Sequence, residues 1–184
     1  LALLVGATLF AAQPAAASPA AASPQTFAAQ GAAAGLTAQQ VSWLQTQVTS
    51  YVAKSGGRQT SLNTVDVNGR AELRIALPGE AHPRTFAGAR PMSPAGPCDG
   101  GTAPGYLCLY QGQNGTGSQI PMYVCTTIDL PNWSGYGSWG DNQTTGTRSI
   151  FFTRYYGIGE NIYAKANNQS YDWTPIWHVQ NCGA

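Results

Sequence analysis

The chain has 184 residues, 9% of them charged, with a formal net charge of +1. So few charges in such close balance give no electrostatic case for nucleic acid or an anionic membrane surface, and they leave Ser, Thr, Asn, Gln and backbone groups to keep the surface in water. The length suits one domain, or two small ones.

Leu1 to Phe10 is apolar and Ala11 to Ala22 is an Ala/Pro/Ser run with several Ala-x-Ala sites. Residues 1–22 therefore read as the remnant of a signal peptide, too short to span a membrane. Residues 23–35 are low-complexity Ala/Gly/Gln sequence and are expected to be disordered. Thr37-Ala38-Gln39-Gln40 is a capping box that predicts a helix, with Leu36 and Val41 at the staple positions. Val41, Leu44, Val48 and Val52 form its apolar stripe, and Gly56-Gly57 ends it. Lys54 is its only charged residue, which argues against a membrane-surface helix.

A hairpin follows: Leu62 to Val67 and Arg70 to Leu77 flank Asn68-Gly69, the pair favoured in a type I′ turn. Helix and hairpin form an accessory unit over 36–77. It is near the lower size limit for independent stability and is expected to need docking. Residues 78–96, with Pro78, Pro83, Pro91 and Pro94 among Gly and Ala, read as an extended linker.

From Pro97 onward the sequence is rich in Tyr, Trp, Gly and Asn. Strands are predicted at 106–111, 119–124, 126–130, 147–153, 160–165 and 176–179, joined by short polar connections. The fold class is mainly β: an antiparallel Greek-key sandwich over 97–184, preceded by the helix plus β-hairpin unit.

All four cysteines lie in this region: Cys98, Cys108, Cys125 and Cys182. None are spaced two to four residues apart as zinc ligands would be, so two disulfides in an oxidising, extracellular compartment are expected. Three pairings are open. The local pair Cys98–Cys108, with Cys125–Cys182 tying the chain end back to the sheet, is favoured.

Three stretches carry a family resemblance. Two cysteines enclose Pro-Gly-Tyr and are followed by Leu-Tyr. Gln113-Asn114-Gly115-Thr116-Gly117 comes next, and then Trp139-Gly140-Asp141-Asn142-Gln143-Thr144-Thr145-Gly146. These resemble the βγ-crystallin superfamily, and more narrowly the secreted bacterial proteins of peptidase inhibitor family 36, whose studied type inhibits metalloproteases. The resemblance covers 97–184. The Greek-key signature, aromatic, four residues, aromatic, one residue, Gly, is matched by Tyr110 and Gly117 with Gly115 in the middle. A second copy runs from Phe152 to Gly159 with Gly157 in the middle.

The superfamily's calcium motif is matched by Asp141, Asn142, Thr144 and Thr145, and partly by Asn167 to Asp172, so the resemblance implies shared Ca2+ sites there. Against it stands an ordinary reading in which Asp141 and Asn142 cap a loop by accepting from nearby amides.

Catalytic patterns are missing from the sequence. His82 and His178 are the only histidines, and there is no His-Glu-x-x-His and no Gly-x-Ser-x-Gly. The chain reads as a non-enzyme. Its aromatics exceed what so small a domain buries, and Asn132 to Trp139 is the candidate contact loop, with Trp133, Tyr136 and Trp139 as its rings; the alternative is that these rings pack as Greek-key corners. The expected function is a secreted, monomeric inhibitor that presents a disulfide-braced loop, 111–118 or 132–141, to an extracellular protease. The alternative is a calcium- or surface-binding module, of carbohydrate or killer-toxin-like type. The family's inhibitory residues do not map onto this chain, so none is carried over.

Overall fold

A computed structural model describes residues 24–86 and 96–183. The leader at 1–22 and residues 87–95 of the Pro-rich stretch lie outside them.

The Ala-rich segment expected to be disordered is a helix, α1 (Pro24–Ala33). Pro24 opens it, where a missing N–H costs nothing, and alanine has the highest helix propensity. A single ring anchors it: Phe27 is 3% exposed. A Cβ on Gly31 would run into the Val41 and Leu62 side chains, so the glycine sets how closely α1 approaches its neighbours. After Gly35, at φ +72°, comes α2 (Ala38–Ser55). Its capping box is formed: Gln40 N donates to Thr37 Oγ1 (3.2 Å) and Thr37 N donates to Gln40 Oε1 (2.9 Å). Gly56 ends the helix in the left-handed region. Leu44, Val48 and Tyr51 face the core.

Three short strands follow: β1 (Arg58–Ser61), β2 (Thr64–Val67) and β3 (Ala71–Arg74). Asn68 and Gly69 turn β2 into β3 at φ +55° and +70°, the two left-handed residues that a type I′ turn needs. The accessory unit does not stand apart, because β3 pairs with β5 of the later region (Ala71↔Met122, Arg74↔Gln119).

The remaining strands are β4 (Leu107–Tyr110), β5 (Gln119–Met122), β6 (Thr127–Asp129), β7 (Tyr136–Asp141), β8 (Arg148–Phe152), β9 (Ile158–Tyr163), β10 (Ala166–Asp172) and β11 (His178–Gly183). They form two antiparallel sheets. One is seven-stranded in the order β1-β2-β3-β5-β4-β7-β10, and the other four-stranded in the order β6-β11-β8-β9. Strands β7 and β10 fall where no strand is expected from the sequence.

The main apolar core among the described residues runs from Phe27 and Leu44 through Leu73, Leu109 and Ile120 to Phe151 and Trp173. Its centre is aromatic. Phe151 lies 5.9 Å from Trp139, 5.5 Å from Tyr171 and 5.4 Å from Trp173, ring centre to ring centre, and the Trp139 and Tyr171 contacts are edge-on.

The Pro-rich stretch is not a free linker as far as residue 86. Phe86 is buried, and Asn63 Nδ2 donates to the Arg84 carbonyl (2.9 Å). Where the chain is next described, Gly96 N donates to Asp99 Oδ2 (2.7 Å). Asp99 also takes Arg74 Nη1 at 3.1 Å and Gln119 Nε2 at 2.6 Å, joining three segments through one carboxylate. Cys98 is bonded to Cys108 and Cys125 to Cys182, the favoured pairing, closing loops of sequence separation 10 and 57.

Candidate functional site

The aromatics do spill to the surface, but not where the sequence suggests. Trp133 is 7% exposed and Trp139 4%, so both belong to the core and neither is a contact ring. Only Tyr136 of the three expected rings is exposed. From Tyr136 onward the expected contact loop is β7, a central strand held between β4 and β10.

Two glycines allow this. A Cβ on Gly137 would collide with the Tyr110 carbonyl and the Trp173 indole, and one on Gly140 with Thr102 Oγ1. The other candidate loop, 111–118, folds into a short 3-10 turn at Gln113–Gly115. Gly117 takes φ +80° there, and the Tyr110 ring lies over Gly115 at 3.9 Å from where its Cβ would be. Gly117 is the last position of the first signature copy. In the second copy the left-handed residue is Tyr156, at φ +60°, rather than Gly157 or Gly159.

Two of the exposed rings sit side by side at the tip of the β8–β9 hairpin. Tyr155 is 87% exposed, and Tyr156 and Ile158 are exposed beside it. The turn is tight: Thr153 N donates to Gly157 O (2.8 Å), and Tyr156 N donates to Thr153 O (3.0 Å). It is also propped from behind. The Tyr156 ring stacks on His178 at 4.1 Å between centres with 5° between planes. His178 Nδ1 in turn contacts Asp129 Oδ1 at 2.6 Å. The Arg154 guanidinium lies 4.9 Å from the centre of the Trp177 ring, and Lys54 Nζ lies 5.1 Å from the same ring. Lys54 is fixed by donating to Leu130 O (2.6 Å) and Asn132 Oδ1 (3.2 Å). Helix α2 thus supports the tip through one indole.

Sequence reasoning finds a surplus of aromatics but does not place it at this tip. The eight-residue spacing from Phe152 to Gly159 was the available signal.

The residues of the calcium motif are dispersed. Asp141 is 2% exposed, while Thr144 and Thr145 lie on the surface. Asp141 Oδ1 accepts from Gln143 N (3.0 Å) and its Oδ2 from Ser149 Oγ (3.4 Å). Burial pushes the Asp141 carboxyl up, and these two bonds and the Lys165 charge only partly counter it. Lys165 Nζ donates to Asn142 Oδ1 (2.7 Å) and approaches Asn142 O (3.3 Å), so an ammonium already holds those oxygens.

In the second copy Asn168 Oδ1 accepts from Ser170 N and Asp172 Oδ1 from Thr174 N, both at 2.9 Å. Each is a local turn cap. A calcium ion takes six to eight oxygens, several of them anionic, and this set as arranged does not fit one. Among the described residues no group of three or more His, Cys, Asp or Glu side chains could hold a metal.

The chain matches no protein-family model, no curated protein and no solved structure.

Proposed function

We propose that the protein is a secreted, non-catalytic binding protein of the peptidase-inhibitor type, and that it docks the Thr153–Gly157 hairpin tip into a protease cleft. The observation that carries this reading is the pairing of an 87%-exposed Tyr155 with a turn held by internal hydrogen bonds and by the His178 stack. A loop already ordered before docking gives up less freedom when bound, and aromatic and Arg side chains supply most of the affinity at such contacts. Two disulfides are compatible with an extracellular setting. No described helix is long and apolar enough to cross a membrane.

The full chain is to be assayed against a panel of secreted metallo- and serine proteases. At least one is inhibited at micromolar concentration, and Tyr155→Ala and Arg154→Ala each weaken inhibition by about tenfold or more while Tyr155→Ala leaves the melting temperature unchanged. Absence of inhibition across the panel, or inhibition indifferent to both substitutions, overturns the proposal.

A further inference from the structure

Away from the hairpin tip, a cleft of about 640 Å³ opens between the β4–β5 loop, the Gly100–Thr102 segment and the ends of β7 and β10. That volume lies within the range of small-ligand sites. Gly100, Gly101, Gly115 and Gly140 line it, so much of its surface is bare backbone that a ligand can approach closely.

The walls are held in place before any ligand arrives. Gly115 N donates to Ser138 Oγ (2.9 Å), Gln113 Nε2 to Ser170 Oγ (2.6 Å), and Gly117 N to Ala81 O (2.8 Å), which draws His82 to the rim.

The polar groups in the lining have spare capacity. Asn167 and Gln169 are two apart on β10 and so share a face. They bond each other through one N–H only (Gln169 Nε2 to Asn167 Oδ1, 3.2 Å). The Asn167 amide N–H groups and the Gln169 carbonyl remain unused.

The charges in the cleft select the ligand class. Its one carboxylate, Asp141, is buried and bonded to Gln143 and Ser149, so it offers nothing to a cationic ligand. The exposed charge is the Lys165 ammonium. A single cation is too little for a polyphosphate, and a lining of amides, hydroxyls and backbone is wrong for a large apolar molecule. Paired donors and acceptors at close spacing suit vicinal hydroxyls. We propose that this cleft binds a short oligosaccharide, uncharged or bearing one acidic group that meets Lys165. This proposal is independent of the hairpin tip.

The full chain is to be titrated with N-acetylglucosamine trimer, maltotriose and sialyllactose, the last bearing one carboxylate. Binding is followed by calorimetry and by amide N–H resonances. At least one of the three binds at millimolar concentration or tighter, shifting the resonances of Gly100–Thr102, Asn114, Asn167 and Gln169. The double substitution Asn167→Ala with Gln169→Ala weakens that binding by about tenfold without lowering the melting temperature, since both side chains are exposed. No shift with any of the three sugars at several millimolar overturns the proposal. So does binding that survives the double substitution, or shifts confined to the Tyr155 hairpin.

Discussion

Tyr51, on the second helix, donates its hydroxyl to the backbone carbonyl of Asp129 on β6 at 2.8 Å, across 78 positions of sequence. A helix that reads as the start of a separate unit is thus bonded directly into the second sheet. Burial foremost, with the Asp129 charge adding to it, raises the phenol far above its ordinary value, so it stays protonated and a donor throughout. Tyr51→Phe leaves the carbonyl without that donor and is expected to cost about 1 kcal/mol. Urea unfolding followed by helix circular dichroism and by Trp fluorescence should give coincident transitions in both forms. Separate transitions would show that helix and sheets do not fold as one body.

Gly137→Ala is expected to be the most damaging small substitution on β7. The added methyl meets the Tyr110 carbonyl and the Trp173 indole at the point where Trp173 Nε1 donates to Tyr110 O (2.8 Å). Overpacking plus a strained buried hydrogen bond should cost about 2–3 kcal/mol, read as a lower urea midpoint at unchanged slope. A loss under about 0.5 kcal/mol, the range of ordinary surface changes, would refute this account of why the position is glycine.

Here the limits of the sequence become physical. The capping box, the Asn68-Gly69 turn and both disulfide pairs are local or pairwise devices, and each is legible in the residues that form it. β7 is not, because Tyr-Gly-Ser-Trp-Gly-Asp has the composition of a loop. Its glycines are there for Trp173 and Thr102, which lie far away in sequence. β10 is a polar edge strand with little alternation to betray it. α1 hides because one phenylalanine does the work of a whole stripe. The same reasoning explains the displaced site. Surplus rings can be counted from sequence, but which of them β7 takes into the core depends on its being a central strand.

The two cross-links should differ in weight. By the loop-entropy argument, replacing Cys125 and Cys182 by Ala costs about 4 kcal/mol and replacing Cys98 and Cys108 by Ala about 3 kcal/mol. Guanidinium midpoints of the two double variants test the order. A greater loss from the local pair would mean that the packing of buried Cys98 and Cys108 against Tyr110 outweighs the chain constraint.

Acid should weaken the fold through Asp99. Burial works to raise its carboxyl, but the Gln119 hydrogen bond, the Arg74 charge and bond, and the Gly96 amide together hold it below the ordinary 3.8. Just below pH 3.8 the unfolded chain therefore binds more protons at this position than the folded one. The contribution is complete above the unfolded value and is lost as the pH falls through the folded one. Asp141 and Glu72, whose carboxyls burial raises, act in the opposite sense. Asp99→Asn should lower stability at neutral pH and flatten the acid limb of a stability–pH curve. An unchanged acid limb would remove Asp99 from the explanation.

His178→Ala removes both the stack under Tyr156 and the contact with Asp129. The hairpin tip should loosen more than the molecule. Hydrogen exchange at the Tyr156 amide, which donates to Thr153 O, is expected to speed by on the order of tenfold, with a global loss of only about 1 kcal/mol. Equal loss at the tip and in the core would mean that the ring pair braces the whole body and not the turn.

At the pairing of β3 with β5, covalent and folded continuity part company. A nick anywhere between Phe86 and Gly96 would divide the polypeptide, yet the two pieces would stay zipped along a shared sheet, with Arg74 still gripping Asp99 across the break. Clipping there would make a two-chain protein rather than a trimmed one. Stripping away the front piece would bare a raw strand edge on β5, open to pairing with the next molecule.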